Sequence, residues 1–311
     1  MPAAAERAMA APNRWLTGAL VALLCAVWGS TWLVIRGGLR DLPPFTSAAA
    51  RFWVAAALMS VVARPLARRE GGDAPPAWLW LASGLLNFGT SYGVVYWCET
   101  RLPSGLVAVL WGVFPILMAL SAHRFLPDER LRSGTWLGIV AGFAGLFVLF
   151  QNDVRALGAG ATPAALLLFV SPAVSVVGTT LIKKYGAGTS SVLTNKNAMF
   201  VGAVVLSALA LSVERDRSPR WTPAAVGSVV YLAVAGTALT FGVYFWLLRY
   251  ADAHKLGLIA YVTPAIALTL GWAVGGEPLR PSTLIGTGLV LLAVVLVVRP
   301  AQKGRERGAA T

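Results

Sequence analysis

The sequence predicts an all-α integral membrane protein, with ten transmembrane helices arranged as two inverted repeats of five. Three observations carry this. The 311 residues are 57% hydrophobic and only 13% charged, with a mean hydropathy of +0.69, whereas soluble domains carry about 25% charged residues. Residues 15–35, 74–98, 102–122, 156–182, 221–248 and 256–276 each run without Asp, Glu, Lys, Arg or His, and about 20 apolar residues cross a bilayer as a helix. Finally, one charged phrase is written twice, "DERLRSGTWLG" at 128–138 and "GEPLRPSTLIG" at 276–286, 148 residues apart.

Charges, Pro and Gly divide the chain into spans at roughly 15–35, 44–63, 77–98, 102–124, 133–150, 163–182, 192–213, 222–248, 255–276 and 282–299. No period-two alternation suggests a barrel, and a helix satisfies its own backbone in hydrocarbon. The first span follows Arg7 and Arg14; it is too long for a signal peptide and no small-residue cleavage site follows, so it is retained. The second and seventh contain the only cations inside spans, Arg51 and Lys196. The third is richest in polar and aromatic residues, and the eighth answers it with Thr237, Thr240, Phe241, Tyr244 and Trp246. The fourth and ninth hold Pro115 and Pro264, where each ring removes an amide donor and frees the carbonyl four residues earlier, at Trp111 and Ala260. Pro172, in the sixth, has no counterpart in the first. In the fifth, Gly138 and Gly142 form a small-xxx-small stripe for close packing within or between chains.

Further anchors share nearly the same offset. "GVVYW" at 93–97 matches "GVYFW" at 242–246, "WGVFPI" at 111–116 aligns with "AYVTPA" at 260–265, and "GSTWL" at 29–33 matches "GTTLI" at 178–182. The order is conserved along the chain, so each copy holds five spans. An odd number forces the second copy to enter the membrane from the opposite side, which makes the repeats inverted. The expected units are a tail at 1–14, a first repeat at 15–152, a second at 153–299 and a basic tail at 300–311. With the N-terminus inside, 16 Lys and Arg fall on the cytoplasmic side and 8 opposite, which orients both termini inward.

The net charge of +13 lies mostly in short gaps between spans, where topology signals belong, so nucleic acid is not an expected partner. Cys25 and Cys98 sit in apolar runs and read as buried hydrophobes. No cofactor or metal is implied. His123 and His254 lie at span ends, and all six Asp lie in connections, which argues against intramembrane metalloprotease or aspartyl chemistry and against an enzyme generally.

Residues 247–298, "LLRYADAHKLGLIAYVTPAIALTLGWAVGGEPLRPSTLIGTGLVLLAVVLVV", closely resemble the second-half signature of the EamA family of drug/metabolite transporters. "WGSTW" at 28–32, "ARF" at 50–52 and "DERL" at 128–131 resemble its first half. The resemblance implies two five-helix inverted repeats and export or uptake of small metabolites.

In such transporters the substrate site lies near the bilayer midplane between the repeats. In the third span Asn87/Ser91 and Tyr92/Tyr96 are i,i+4 pairs, so two adjacent stripes are expected to face a cavity. The expected substrate-binding set is Trp28, Arg51, Asn87, Tyr92, Tyr96, Trp111, Tyr244 and Tyr261, with Pro115 and Pro264 as kinks or gates. Trp28 is placed beside a turn at Gly29–Thr31. Arg51 binds a substrate carboxylate or steadies the fold, whereas Lys196 reads as a snorkelling anchor. Glu99 is the one Glu near a span and reads as a solvated helix end, which favours facilitated diffusion or exchange over proton coupling. Glu129 and Glu277 read as caps for the helices they precede, with Arg132 and Arg280 within helical reach.

The expectation is an exporter in a bacterial inner membrane, for amino acids or related amphipathic compounds. Efflux of lipophilic drugs is the alternative, and a non-transporting receptor is a weaker one. A nucleotide sugar would require more cations within the spans. The partners are a small solute and the bilayer; the oligomeric state stays open.

Overall fold

The computed structural model describes residues 13–125, 133–149, 154–247 and 258–298. These residues form ten successive helical rods. They are α1 (Arg14–Gly38), α2 (Pro44–Glu70), α3 (77–99), α4 (Ser104–Phe125), α5 (Ser133–Leu149), α6 (Ala161–Tyr185), α7 (Ser191–Val213), α8 (Pro223–Leu247), α9 (Leu258–Ala273) and α10 (Pro281–Val298). Six of them, α1, α2, α4, α6, α7 and α8, are long and apolar enough to cross a membrane by length and composition. Pro65 lies inside α2, which runs on to Glu70 rather than ending near 63 as the charges suggested. The supposed turn at Gly29–Thr31 is uninterrupted helix in α1, where the missing Cβ lets Ile266 of α9 approach; a Cβ there would stand 2.6 Å from it.

Helix starts are legible residue by residue. Asn13, Ser190 and Thr222 accept side-chain hydrogen bonds from amides in the first turns of α1, α7 and α8. Pro44 and Pro223 begin α2 and α8, where a missing amide costs nothing. α4 breaks at Gly112–Val113, just before Pro115, and α6 breaks at Phe169, three residues before Pro172. Two rods widen into π turns in matching places: Gly84–Thr90 in α3 and Val234–Leu239 in α8.

The packing shows the inversion directly. At the repeat offset α7 is the counterpart of α2, and the two lie side by side and antiparallel. Thr46 at the start of α2 meets Glu214 after α7, while Glu70 at the end of α2 meets Ser190 before α7. α5 and its counterpart α10 pair the same way: a Cβ on Gly142 would meet Ala293, and one on Gly145 would stand 2.7 Å from the Gly286 carbonyl. Gly142 and Gly145 thus pack within the chain. The other neighbours come in exchanged pairs, α1 with α9 as α6 with α4, and α3 with α7 as α8 with α2.

Three carboxylates tie the repeats together. Glu214 accepts from the amides of Phe45 and Thr46 and from the Thr46 hydroxyl, at 2.7–2.8 Å. Glu70 accepts from the hydroxyls of Ser190 and Ser191 and the amide of Val192. Glu277 accepts from the amides of Ser104 and Gly105 at 2.7 and 3.0 Å, so it caps α4 of the first repeat and not its own α10. Glu129 and Arg132 lie outside the described residues. Connections pair as well: Asp73 exchanges backbone hydrogen bonds with Gly188 and Ser190, and Asp41 receives the Arg220 amide and guanidinium and the Thr222 hydroxyl.

Glu214 is buried and accepts from the first two amides of α2. Glu214→Ala leaves two orphaned amides and is expected to cost about 1–3 kcal/mol, read as a lower midpoint of thermal unfolding in detergent, with Glu214→Gln costing less. An unchanged midpoint for the alanine variant would show that the clasp contributes nothing.

Candidate functional site

Arg51 lies two turns into α2 and is only 1% exposed. Its Nε donates to the Thr237 hydroxyl at 2.7 Å, Nη1 to the Tyr96 hydroxyl at 3.3 Å and Nη2 to the Gly236 carbonyl at 3.1 Å. Both α8 partners belong to the π turn. Gly236 must be glycine for this approach, because a Cβ there would stand 2.9 Å from Thr31 and 3.4 Å from the guanidinium. The Tyr92 ring lies 4.7 Å from the guanidinium carbon and the Phe52 ring 5.6 Å. These contacts make a cradle of neutral groups. Among the described residues no carboxylate pairs with Arg51, although burying a cation costs several kcal/mol and a buried cation is ordinarily paired. Neutral acceptors and aromatic faces offset that cost in part, the latter by about 2 kcal/mol.

Aromatic rings continue from this cradle across the repeat boundary. Phe52 meets Tyr92 edge-on at 4.9 Å, and Phe88 meets Phe241 edge-on at 5.0 Å. Trp28 of α1 lies against Phe241 and Tyr244 at 5.5 and 5.3 Å. One turn along α1, Trp32 faces Trp111 of α4 at 6.2 Å. Trp28, Trp32, Tyr92, Trp111, Phe241 and Tyr244 are half-buried.

A second polar cluster stands beside the first. The Trp111 indole donates to the Ser171 hydroxyl at 2.9 Å, Ser171 and Ser91 share a 2.8 Å hydrogen bond, and Ser175 donates to Ser91 at 2.9 Å. The two stripes of α3 therefore serve different neighbours. Tyr92 and Tyr96 face Arg51 of α2, whereas Ser91 and Asn87 face α6. Asn87 donates to Ser83 at 3.1 Å and packs on Gly178, where a Cβ would stand 2.6 Å from the amide nitrogen. Its amide is therefore satisfied away from the Arg51 cradle.

Of the sequence-predicted set, the structure brings together Arg51, Tyr92, Tyr96, Trp28 and Tyr244, linked through Phe241. Trp111 stands in the serine cluster. The Tyr261 side chain lies outside the described residues. Pro115 follows the break in α4, and Pro264 is buried within α9. Lys196 is half-buried, between one and two turns into α7. Sequence reading missed Thr237 and Gly236 as partners of Arg51, since only a π turn brings both to one guanidinium. It also misplaced Glu99. This residue is 0% exposed and neither carboxyl oxygen has a hydrogen-bond partner, so it is no solvated helix end.

The EamA-like transporter family matches residues 16–151 and again 162–299, one match on each repeat. The chain belongs to this family. It is thus a multi-pass membrane protein of a transporter family, with the two-repeat architecture. It is 31% identical over 293 residues to the uncharacterized inner membrane transporter YedA of Escherichia coli (strain K12), covering 91% of this chain and 90% of the relative. It is 27% identical over 283 residues to the uncharacterized transporter YvbV of Bacillus subtilis (strain 168), covering 90% and 91%. Protein PecM of Dickeya dadantii is 25% identical over 276 residues, covering 87% and 88%. A solved crystal structure superposes with a TM-score of 0.69 at 19% identity, over 92% of this chain and 98% of that one, and shares the fold.

Thr237→Val removes the shortest hydrogen bond to Arg51 and also the one from Thr237 to the Leu232 carbonyl. Tyr96→Phe removes the longest. Both are expected to lose stability, about 1–3 kcal/mol for Thr237→Val and less for Tyr96→Phe, read as lower unfolding midpoints in detergent. The reverse order would contradict the cradle geometry.

Proposed function

We propose that this EamA family member is an alternating-access carrier for small carboxylate-bearing metabolites, such as amino acids or related amphipathic compounds. The observation that carries the reading is Arg51: a fully buried cation, at the boundary between repeats, held by neutral groups and lacking an anionic partner among the described residues. A substrate carboxylate would supply the missing charge in a bidentate geometry suited to guanidinium. The half-buried aromatic rings of Trp28, Tyr92, Phe241 and Tyr244 would cover the apolar part of the solute. Trp111 and its serine neighbours offer hydroxyls for a second polar group.

The proposed membrane is the bacterial inner membrane, with ten crossings, both termini inside and export as the direction of flux. In support, Arg64, Arg68, Arg69, Arg124, Lys183 and Lys184 gather at one end of the bundle, and more Lys and Arg of the sequence fall on that side. The α4 break before Pro115 and the buried Pro264 are proposed hinges, because a helix lacking one backbone hydrogen bond bends at lower cost. The reading takes the protein as a carrier that makes and breaks no covalent bond.

Counterflow in proteoliposomes tests this, using purified protein, labelled amino acids against lipophilic cations, and no ion gradient. Amino-acid counterflow is expected, and Arg51→Ala is expected to weaken apparent affinity by roughly 10- to 100-fold, the loss of one charge-assisted interaction. Asn87→Ala is expected to lower stability with affinity nearly unchanged, because its amide donates to Ser83 of its own helix and packs on Gly178 of α6. Flux of lipophilic cations alone, unaffected by Arg51→Ala, would replace this reading with drug efflux.

A further inference from the structure

At the end of the bundle where α1 and α3 finish and α4 begins, Glu99 is enclosed on every side. Its side chain is 0% exposed, and both oxygens lack a hydrogen-bond partner, as does the equally buried Ser104 hydroxyl. The charged and titratable groups around it are already engaged. Arg36 of α1 donates to the backbone carbonyls of Glu99 and Leu102, not to the carboxyl group. Glu277 holds the Ser104 and Gly105 amides and is a like charge facing Glu99. Arg51 is farther along the same side of α3, with Tyr96 bound to it between them. Cys98 of α3 donates to the Ala164 carbonyl of α6. Arg101 beyond them is exposed and stacks on Trp97.

An ionised carboxylate with no donor in this enclosure, beside a second carboxylate that already accepts from two amides, is costly. The neutral acid removes most of that cost. We propose that Glu99 is a proton-binding site of the carrier. It takes up one proton from the adjoining water as this end of the bundle closes, and returns it when the end opens and water or Arg36 reaches the carboxylate. The proposal rests on the alternating-access reading above for the opening step. Closing binds a proton, so acid favours the closed form and rising pH favours the open one.

Infrared spectroscopy of the full-length protein in lipid tests the site without relying on transport. Near neutral pH a protonated-carboxyl band is expected, one that shifts when the protein carries isotopically labelled glutamate and disappears in Glu99→Gln. The labelling arm uses wild-type protein, so a misfolded variant does not spoil the test. Absence of a glutamate-derived band would overturn the proposal. Counterflow in acidic and alkaline buffer then tests coupling: wild type is expected to respond to pH, and Glu99→Gln to respond far less. Equal pH profiles for both would overturn the coupling while leaving the carrier reading intact. A labelled band together with no counterflow of any solute would support the proton site and sink the carrier reading.

Discussion

The first amides of a helix have no partner within that helix, and at a membrane boundary each must find an acceptor. In this chain three of those acceptors are carboxylates lent by the opposite repeat: Glu214 to α2, Glu70 to α7 and Glu277 to α4. Each repeat thus leaves helix starts that the other completes, α2 and α4 in the first and α7 in the second. The duplication therefore depends on the antiparallel pairing of counterparts, because only inversion carries the C-terminal end of α7 to the start of α2 while carrying the end of α2 to the start of α7. The same inversion packs the α3 π turn on α7 and the α8 π turn on α2. The site is built between them.

The backbone is nearly twofold, but its chemistry is not. At an offset of 149 residues Tyr92 corresponds to Phe241, Tyr96 to Phe245 and Asn87 to Gly236. The first repeat supplies the charge and the Tyr96 hydroxyl, while the second supplies the Thr237 hydroxyl, the Gly236 carbonyl and the apolar surface of Phe241 and Phe245. A site symmetric in both halves would hold two cations, or two apolar walls. The asymmetry instead gives one polar pole and one apolar flank, which suits a solute with a single anionic group and a hydrophobic remainder. Gly236 shows how the two halves fit: where the first repeat has an amide side chain, the second leaves room for the guanidinium of the first.

Spans and inversion were legible in the sequence because each rests on a local signal: uncharged length for the spans, and a repeated phrase with an odd span count for the inversion. The observed ends fall within a few residues of those read from charge and proline, except that α2 continues through Pro65 to Glu70. Arg51, Tyr92 and Tyr96 were legible as polar or charged residues inside apolar runs. What they touch was not, because a π turn leaves no composition signal and sets which carbonyl and hydroxyl converge. Asn87 and Tyr92 sit on adjacent stripes, so periodicity placed both toward a cavity, and only the positions of α2 and α6 separate them. Glu99 was misread for a similar reason: "CETRLP" at 98–103 resembles a solvated connection, and its burial depends on α1 and on the Glu277 segment, both remote in sequence.

Tyr92, Tyr96 and Glu99 recur at i, i+4 and i+7 on α3, which sets the unpaired cation and the unpartnered acid along one face. On the proposed reading these are two halves of a single electrostatic account. While Glu99 is neutral, the Arg51 cradle carries the uncompensated positive charge of that face and draws an anionic solute. Once Glu99 ionises, its charge answers part of the Arg51 field, weakening the pull on a substrate carboxylate. Proton on Glu99 and carboxylate on Arg51 thus favour one another, and by linkage the preference is equal in both directions. A carrier built this way needs no carboxylate at its centre: the acid can stand at the gate, three helical positions past the tyrosine that holds the arginine.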